Sequence, residues 1–117
     1  MTWNVAFADE FYADYKVLPE AVQDELLLGL RLLEVYGPRL GRPHVDTLKG
    51  SGFANMKELR FRADNGVWRV AFAFDPKRSA ILLVAGDKSG TGEAKFYKRL
   101  IAVADTRYKA HLKRIGS

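Results

Sequence analysis

The sequence predicts an α+β domain of order β-α-α-β-β-β-α, with an antiparallel meander packed against helices. Three features carry that reading: helical spacing of apolar residues up to a Gly37-Pro38 stop, strand-like segments over 56–86 broken by two tight-turn signals, and a helical stretch from about Gly92 to Leu112. One domain spanning residues 1–117 is expected, a length near the commonest domain size.

Residues 3–8, from Trp3 to Ala8, can form a short strand. Asp9 then offers an N-cap, with Phe11, Tyr15 and Leu18 at helical spacing. Pro19 suits the first turn of a second helix, where its missing N–H would have no partner anyway. Glu20, Asp24 and Glu25 sit towards the positive end of that helix's dipole. Val22, Leu26, Leu30 and Leu33 make one apolar stripe, widened by Leu27 and Val35. Residues 38–55 hold three glycines and two prolines without periodicity and read as a long, candidate functional loop.

The meander follows. Over 56–62, Leu59 and Phe61 fall on one face and Glu58, Arg60 and Arg62 on the other. Asn65-Gly66 signals a two-residue hairpin whose central residues need positive φ. Over 67–74, Trp68, Val70, Phe72 and Phe74 share a face, with Val67, Arg69, Ala71 and Ala73 opposite. Asp75-Pro76-Lys77-Arg78 places proline where a type I turn favours it. The segment 79–86 is apolar on both faces, as a central strand is, and the N-terminal strand is the obvious neighbour for its free edge. In the last helix Phe96, Leu100 and Val103 are spaced towards a core.

Apolar residues make up 48% and charged residues 28%, as in an ordinary globular protein. With no cysteine, disulfides and thiolate chemistry are excluded. The apolar runs fall well short of the roughly 18 residues of a membrane helix, and no signal-peptide pattern is visible, so a cytoplasmic location is expected. The net charge of +5 is unevenly placed: −4 over 1–48, +6 over 49–99 and +3 over 100–117. A basic second part points to a polyanion or simply to a solvated surface.

A sheet with one covered and one open face would gather Arg60, Arg62 and Arg69 on the open side. Like charges opposite one another repel, so such a cluster expects an anion, or a carboxylate such as Glu58 to neutralise it. Asp87-Lys88-Ser89-Gly90-Thr91-Gly92 lies between strand and helix; it is no P-loop, but it could carry Lys88 towards the arginines or be a plain connection. His44 and His111 stand in no metal-ligand or triad spacing, and one of Phe96 and Tyr97 should be partly free. No metal or cofactor is expected.

Met56-Lys57-Glu58-Leu59-Arg60-Phe61-Arg62, Trp68-Arg69-Val70, Ala85-Gly86-Asp87-Lys88 and Phe96-Tyr97, in this order of elements, resemble the RelE superfamily of toxins, and within it the phage-derived HigB-like branch. The resemblance covers nearly the whole chain and implies a RelE-like fold. It also implies the toxin of a type II toxin–antitoxin pair, held inactive by a helix-turn-helix antitoxin of HigA type. Its activity would be endoribonuclease cleavage of mRNA in the A site of the 70S ribosome. Carried over residue by residue, the catalytic set is Arg60, Arg69, Lys88 and Tyr97 (or Phe96), with Lys57, Arg62 and Lys95 positioning RNA phosphates. The chain departs from some relatives in having Leu59 between Glu58 and Arg60 and in lacking a histidine late in the chain's strands, which leaves the proton acceptor open. A ParE-like gyrase inhibitor and a non-catalytic RNA-binding remnant are the alternatives.

Overall fold

In the computed structural model, residues 2–116 are described. The elements are β1 (Asn4–Phe7), α1 (Asp9–Lys16), α2 (Glu20–Tyr36), β2 (Val45–Thr47), β3 (Met56–Ala63), β4 (Gly66–Phe74), β5 (Ser79–Asp87) and α3 (Glu93–Arg114), with a 3-10 turn at Gly37–Arg39. The sheet order is β1-β5-β4-β3-β2. β1 runs parallel to β5, and the other neighbours are antiparallel. The meander and the seat of the first strand are as the sequence predicts. The expected order lacks one element: Val45–Thr47, inside the long loop, pairs with Lys57–Leu59 as an extra edge strand.

The expected half-open sheet is corrected, since helices cover both faces. One face carries Leu59, Val70 and Phe72, all fully or nearly fully buried. α2 packs so closely there that a Cβ on Gly29 would lie 2.7 Å from Leu59 Cδ2. The other face carries Met56, Ala71 and Ala73, also buried, with Gly86 beside Arg69. Those small residues let α3 lie directly on the strands: a Cβ on Gly86 would meet the Phe96 ring at 2.9 Å. α3 therefore buries Phe96, Leu100, Ala104 and Tyr108, a stripe with a four-residue step. Val103 falls beside that stripe and is 37% exposed, contrary to its expected core role. Leu27 and Val35 on α2 are exposed as well, so the helix stripe is the narrower Val22, Leu26, Leu30 and Leu33, with Leu30 only partly buried.

The local signals at chain turns are displaced by one residue. Asp9 is the first residue of α1 and Ala8 its cap; Pro19 caps α2. The hairpin turns on Asp64 and Asn65, at φ 51° and 60°, and not on Asn65-Gly66. Asp and Asn tolerate the left-handed region, and Gly66 serves close approach instead, because a Cβ there would lie 2.7 Å from Asp87 Oδ2. The slip decides the site: it sets Arg60, rather than Arg62, opposite Arg69. In the Asp75–Ser79 turn, Asp75 Oδ1 accepts from the backbone N–H groups of Lys77 and Ser79.

β5 is apolar on both sides because helices cover both faces of the sheet, and its alternation is also interrupted once. Ala71 pairs with Val84 and Phe72 with Leu82, leaving Leu83 as a bulged residue. β5 lies inside the sheet between β1 and β4, as expected of a central strand, although β1 covers only Ser79–Leu82.

Candidate active site

Arg60 and Arg69 stand directly opposite each other on β3 and β4. Two guanidiniums in this position repel, and Glu58, two residues before Arg60 on the same face, answers them. Its Oε2 lies 3.8 Å from Arg60 Nε and its Oε1 3.7 Å from Arg69 Nε. Tyr97, on the first turns of α3, donates its hydroxyl to Glu58 Oε1 at 2.7 Å. Arg69 Nε donates to the same hydroxyl at 3.3 Å, and Arg69 Nη1 to the Trp68 carbonyl at 3.0 Å. Glu58 and Arg69 are each 6% exposed, so these contacts are held in a largely dry setting where they are strong.

The cluster has two cations and one carboxylate, which leaves one positive charge. Burial, and then the bond to Glu58, push the Tyr97 phenol above the ordinary tyrosine value, while Arg69 pulls it down. The phenol is therefore neutral at neutral pH and is a proton donor to Glu58. The site opens on two clefts. One, of about 370 Å³, is lined by Arg42, Asp46, Lys49, Glu58, Arg60, Glu93 and Tyr97 among others. The second, of about 320 Å³, is lined by Pro43, Arg60, Phe61, Arg62, Val67 and Arg69. Arg60, with its side chain 31% exposed, borders both.

Of the sequence-predicted residues, Arg60, Arg69 and Tyr97 come together and Arg62 lines the second cleft. Lys88 follows β5 and its Nζ lies 3.4 Å from Glu93, whose side chain lines the first cleft. Lys95 is exposed on α3 and lines neither cleft. Lys57, opposite Phe72 in the register, shares the face of Leu59 and not that of Arg60. Phe96 is the aromatic taken by the core. His111 is bound to Asp75 at 2.9 Å and stacked on Tyr108, away from the cluster.

Two contributions were missed. Glu58, weighed only as a neutralising partner, is the group on which the cluster converges; its parity with Arg60 was the available signal. Arg42 and Lys49 come from the long loop, which β2 pins against β3. Arg42 bonds Asp46, and the Thr47 N–H and that guanidinium hold the Asp46 carboxyl below its usual range.

Residues 13–109 match the profile of the family described as phage derived protein Gp49-like. The chain belongs to that family, in the HigB-like branch of the RelE superfamily of toxins. Among its relatives is HigB3 of Mycobacterium tuberculosis, named as a toxin, 53% identical over 79 residues that make 68% of this chain and 67% of that protein. HigB2 of the same organism, also named as a toxin, is 45% identical over 85 residues, 72% of this chain and 42% of that protein, so the chain spans less than half of HigB2. The E. coli toxin RelE, in a mutant free state, superposes with a TM-score of 0.61 at 14% identity, over 87% of this chain and 96% of that one. RelE in the archaeal RelE–RelB complex of Pyrococcus horikoshii gives a TM-score of 0.55 at 24% identity, over 78% and 100%. Those two establish the RelE-like fold. Among the described residues, no helix of this HigB-like chain is long and apolar enough to cross a membrane.

Proposed function

We propose that this HigB-like chain is the toxin of a toxin–antitoxin pair and an endoribonuclease that cleaves mRNA in the ribosomal A site. The observation that carries the proposal is the convergence of Arg60, Arg69 and Tyr97 on one buried carboxylate, Glu58. A ribose 2′-oxygen attacks the adjacent phosphorus, and the bond from phosphorus to the 5′-oxygen breaks. The products are a 2′,3′-cyclic phosphate and a 5′-hydroxyl. Arg60 and Arg69 hold the phosphate oxygens and stabilise the charge that builds on the phosphorane, in a site where such donors are fixed before the reaction. The Tyr97 hydroxyl takes the 2′-OH proton as it passes its own to Glu58, and a proton from Lys88 or solvent reaches the 5′-oxygen. Arg42, Lys49 and Arg62 at the cleft walls position the flanking phosphates.

The neighbouring RelE–RelB complex supports a protein antitoxin as partner; a HigA-like helix-turn-helix protein suits the HigB-like branch. Induced expression without the antitoxin, with primer-extension mapping of mRNA ends, tests the proposal. Discrete new 5′ ends inside translated messages are expected. Growth arrest with intact messages and lost DNA supercoiling would favour gyrase inhibition instead.

A further inference from the structure

One edge of α3 meets the long loop as well as the cleft. Tyr97, Ile101 and Asp105 fall four residues apart, on a stripe beside the buried Phe96, Leu100, Ala104 and Tyr108. Tyr97, at the start of the stripe, reaches Glu58. Ile101 lies next to Gly50, where a Cβ would sit 3.5 Å from its Cδ1. Asp105 takes hold of the loop itself. Ser51 Oγ donates to its Oδ1, and the Gly52 N–H to its Oδ2 at 2.7 Å. The same Ser51 Oγ accepts the Phe53 N–H at 3.0 Å. Among the described residues, no cationic side chain lies within ion-pair distance of Asp105, so the loop's two donors are what answer this partly buried carboxylate.

The clamp begins two residues after Lys49, which lines the cleft of Arg60 and Tyr97. The chain is fixed on the other side of Lys49 too: Leu48 is buried, and its N–H donates to the Met56 carbonyl at 3.0 Å. Between the two fixed points stand only Lys49 and Gly50, the latter at φ 98°, a positive value open to glycine and costly for other residues. The rest of the loop has anchors of its own. Phe53 packs edge-on against Tyr108, and Asn55 Nδ2 donates to the Phe74 carbonyl at 2.8 Å. Loss of the Asp105 bonds would thus free residues 49–52 and leave the fold in place.

We propose that Asp105 is a positioning residue: through Ser51 and Gly52 it holds residues 49–52 so that the Lys49 ammonium stands at the cleft wall, where it meets a phosphate flanking the scissile one. This inference rests on the reading of the cleft as an RNA site. One helix then sets two parts of that site, Tyr97 at the reacting group and Lys49 at the flanking phosphate. Asp105 acts on binding and not on the chemical step. The direction of its effect is opposite to that of net charge. Removing a carboxylate from a polyanion-binding surface strengthens binding on electrostatic grounds alone, whereas loss of the clamp weakens it.

Single-turnover cleavage on ribosomes programmed with a defined mRNA, measured over a range of ribosome concentrations, separates half-saturation from the rate at saturation. Asp105→Ala should raise the half-saturation concentration about fivefold, within the range over which contacting residues couple, and keep the saturated rate. Asp105→Asn should bind as tightly as the wild type or tighter, because its Oδ1 still accepts the Gly52 N–H and its Nδ2 can donate to Ser51 Oγ. Ser51→Ala, which keeps the Gly52 bond, should shift half-saturation the same way by less. In a Lys49→Ala background Asp105→Ala should add nothing, since the side chain it places is gone. An Asp105→Ala variant that binds like the wild type, or whose loss adds in full to that of Lys49→Ala, would overturn the inference and leave the toxin reading standing. If Asp105→Ala does not fold, Ser51→Ala decides in its place by the same two criteria. A wild type that cuts no message removes the RNA reading, and the role of the clamp with it.

Discussion

Arg60 and Arg69 face each other across the β3–β4 ladder, and the carboxylate of Glu58 reaches within 4 Å of both. The pair differs in burial: Arg69 is 6% exposed, whereas the Arg60 side chain is 31% exposed. Removing one or the other should therefore separate chemistry from folding. Breaking a buried ion pair by deleting one partner costs about 3–5 kcal/mol, and Arg69→Ala is expected near the lower end because Arg60 still faces Glu58. Arg60→Ala should cost about 1 kcal/mol or less. Each should slow cleavage by about 100- to 1,000-fold, the usual loss of one fixed donor to a developing oxyanion. Urea melts beside single-turnover rates check this; a full-rate Arg60→Ala would remove it from the chemistry.

Tyr97→Phe keeps the ring and deletes the proton path. Glu58 loses its 2.7 Å donor and is left partly unsatisfied, at about 1–3 kcal/mol. Cleavage should fall at least 100-fold, while RNA affinity changes little. A variant with weakened affinity and an unchanged rate constant at saturation would make Tyr97 a binding residue only.

The same phenol predicts the alkaline limit of stability. Burial raises the pKa of both Tyr97 and Tyr108 above the ordinary 10.0. A group whose folded pKa is raised contributes stability that is complete below the unfolded value and is lost as pH rises through the folded one. Unfolding free energy should thus hold up to about pH 9 and decline above pH 10. Tyr97→Phe should shallow that decline, and a slope unaltered by either Tyr97→Phe or Tyr108→Phe would refute the assignment.

Phosphate contacts should be readable through salt. Lys49 and Arg62 line the clefts, so replacing either with alanine should reduce the slope of log affinity against log salt by about one. Lys57→Ala, on the other face, should leave it unchanged. Equal effects from all three would mean that RNA is gathered by net charge and not by these clefts.

How much of this was legible in the sequence follows from the range of each signal. Strand parity put Arg60, Arg62 and Arg69 on one face, and that parity holds because β3 and β4 pair without interruption. Residue parity equally assigns Lys57 to the Leu59 face. The Leu83 bulge depends on Arg107, which lies far along the chain, and the covering of Arg69 depends on small residues on two strands admitting α3. Neither leaves a local pattern. The three-residue β2 is made by its partner strand and carries no alternation of its own. Likewise, with the turn on Asp64-Asn65, Gly66 comes close to Asp87, twenty-one residues away, an approach that no local pattern announces.

The most direct test of the account is single-turnover cleavage on ribosomes programmed with a defined mRNA, read by primer extension, for the wild type, Arg60→Ala and Tyr97→Phe. The account predicts discrete A-site cuts by the wild type, ending in a cyclic phosphate. It predicts rates at least about 100-fold lower for both variants, although Arg60→Ala melts close to the wild type. Wild-type rates in both folded variants, or a wild type that leaves the message whole, would contradict it.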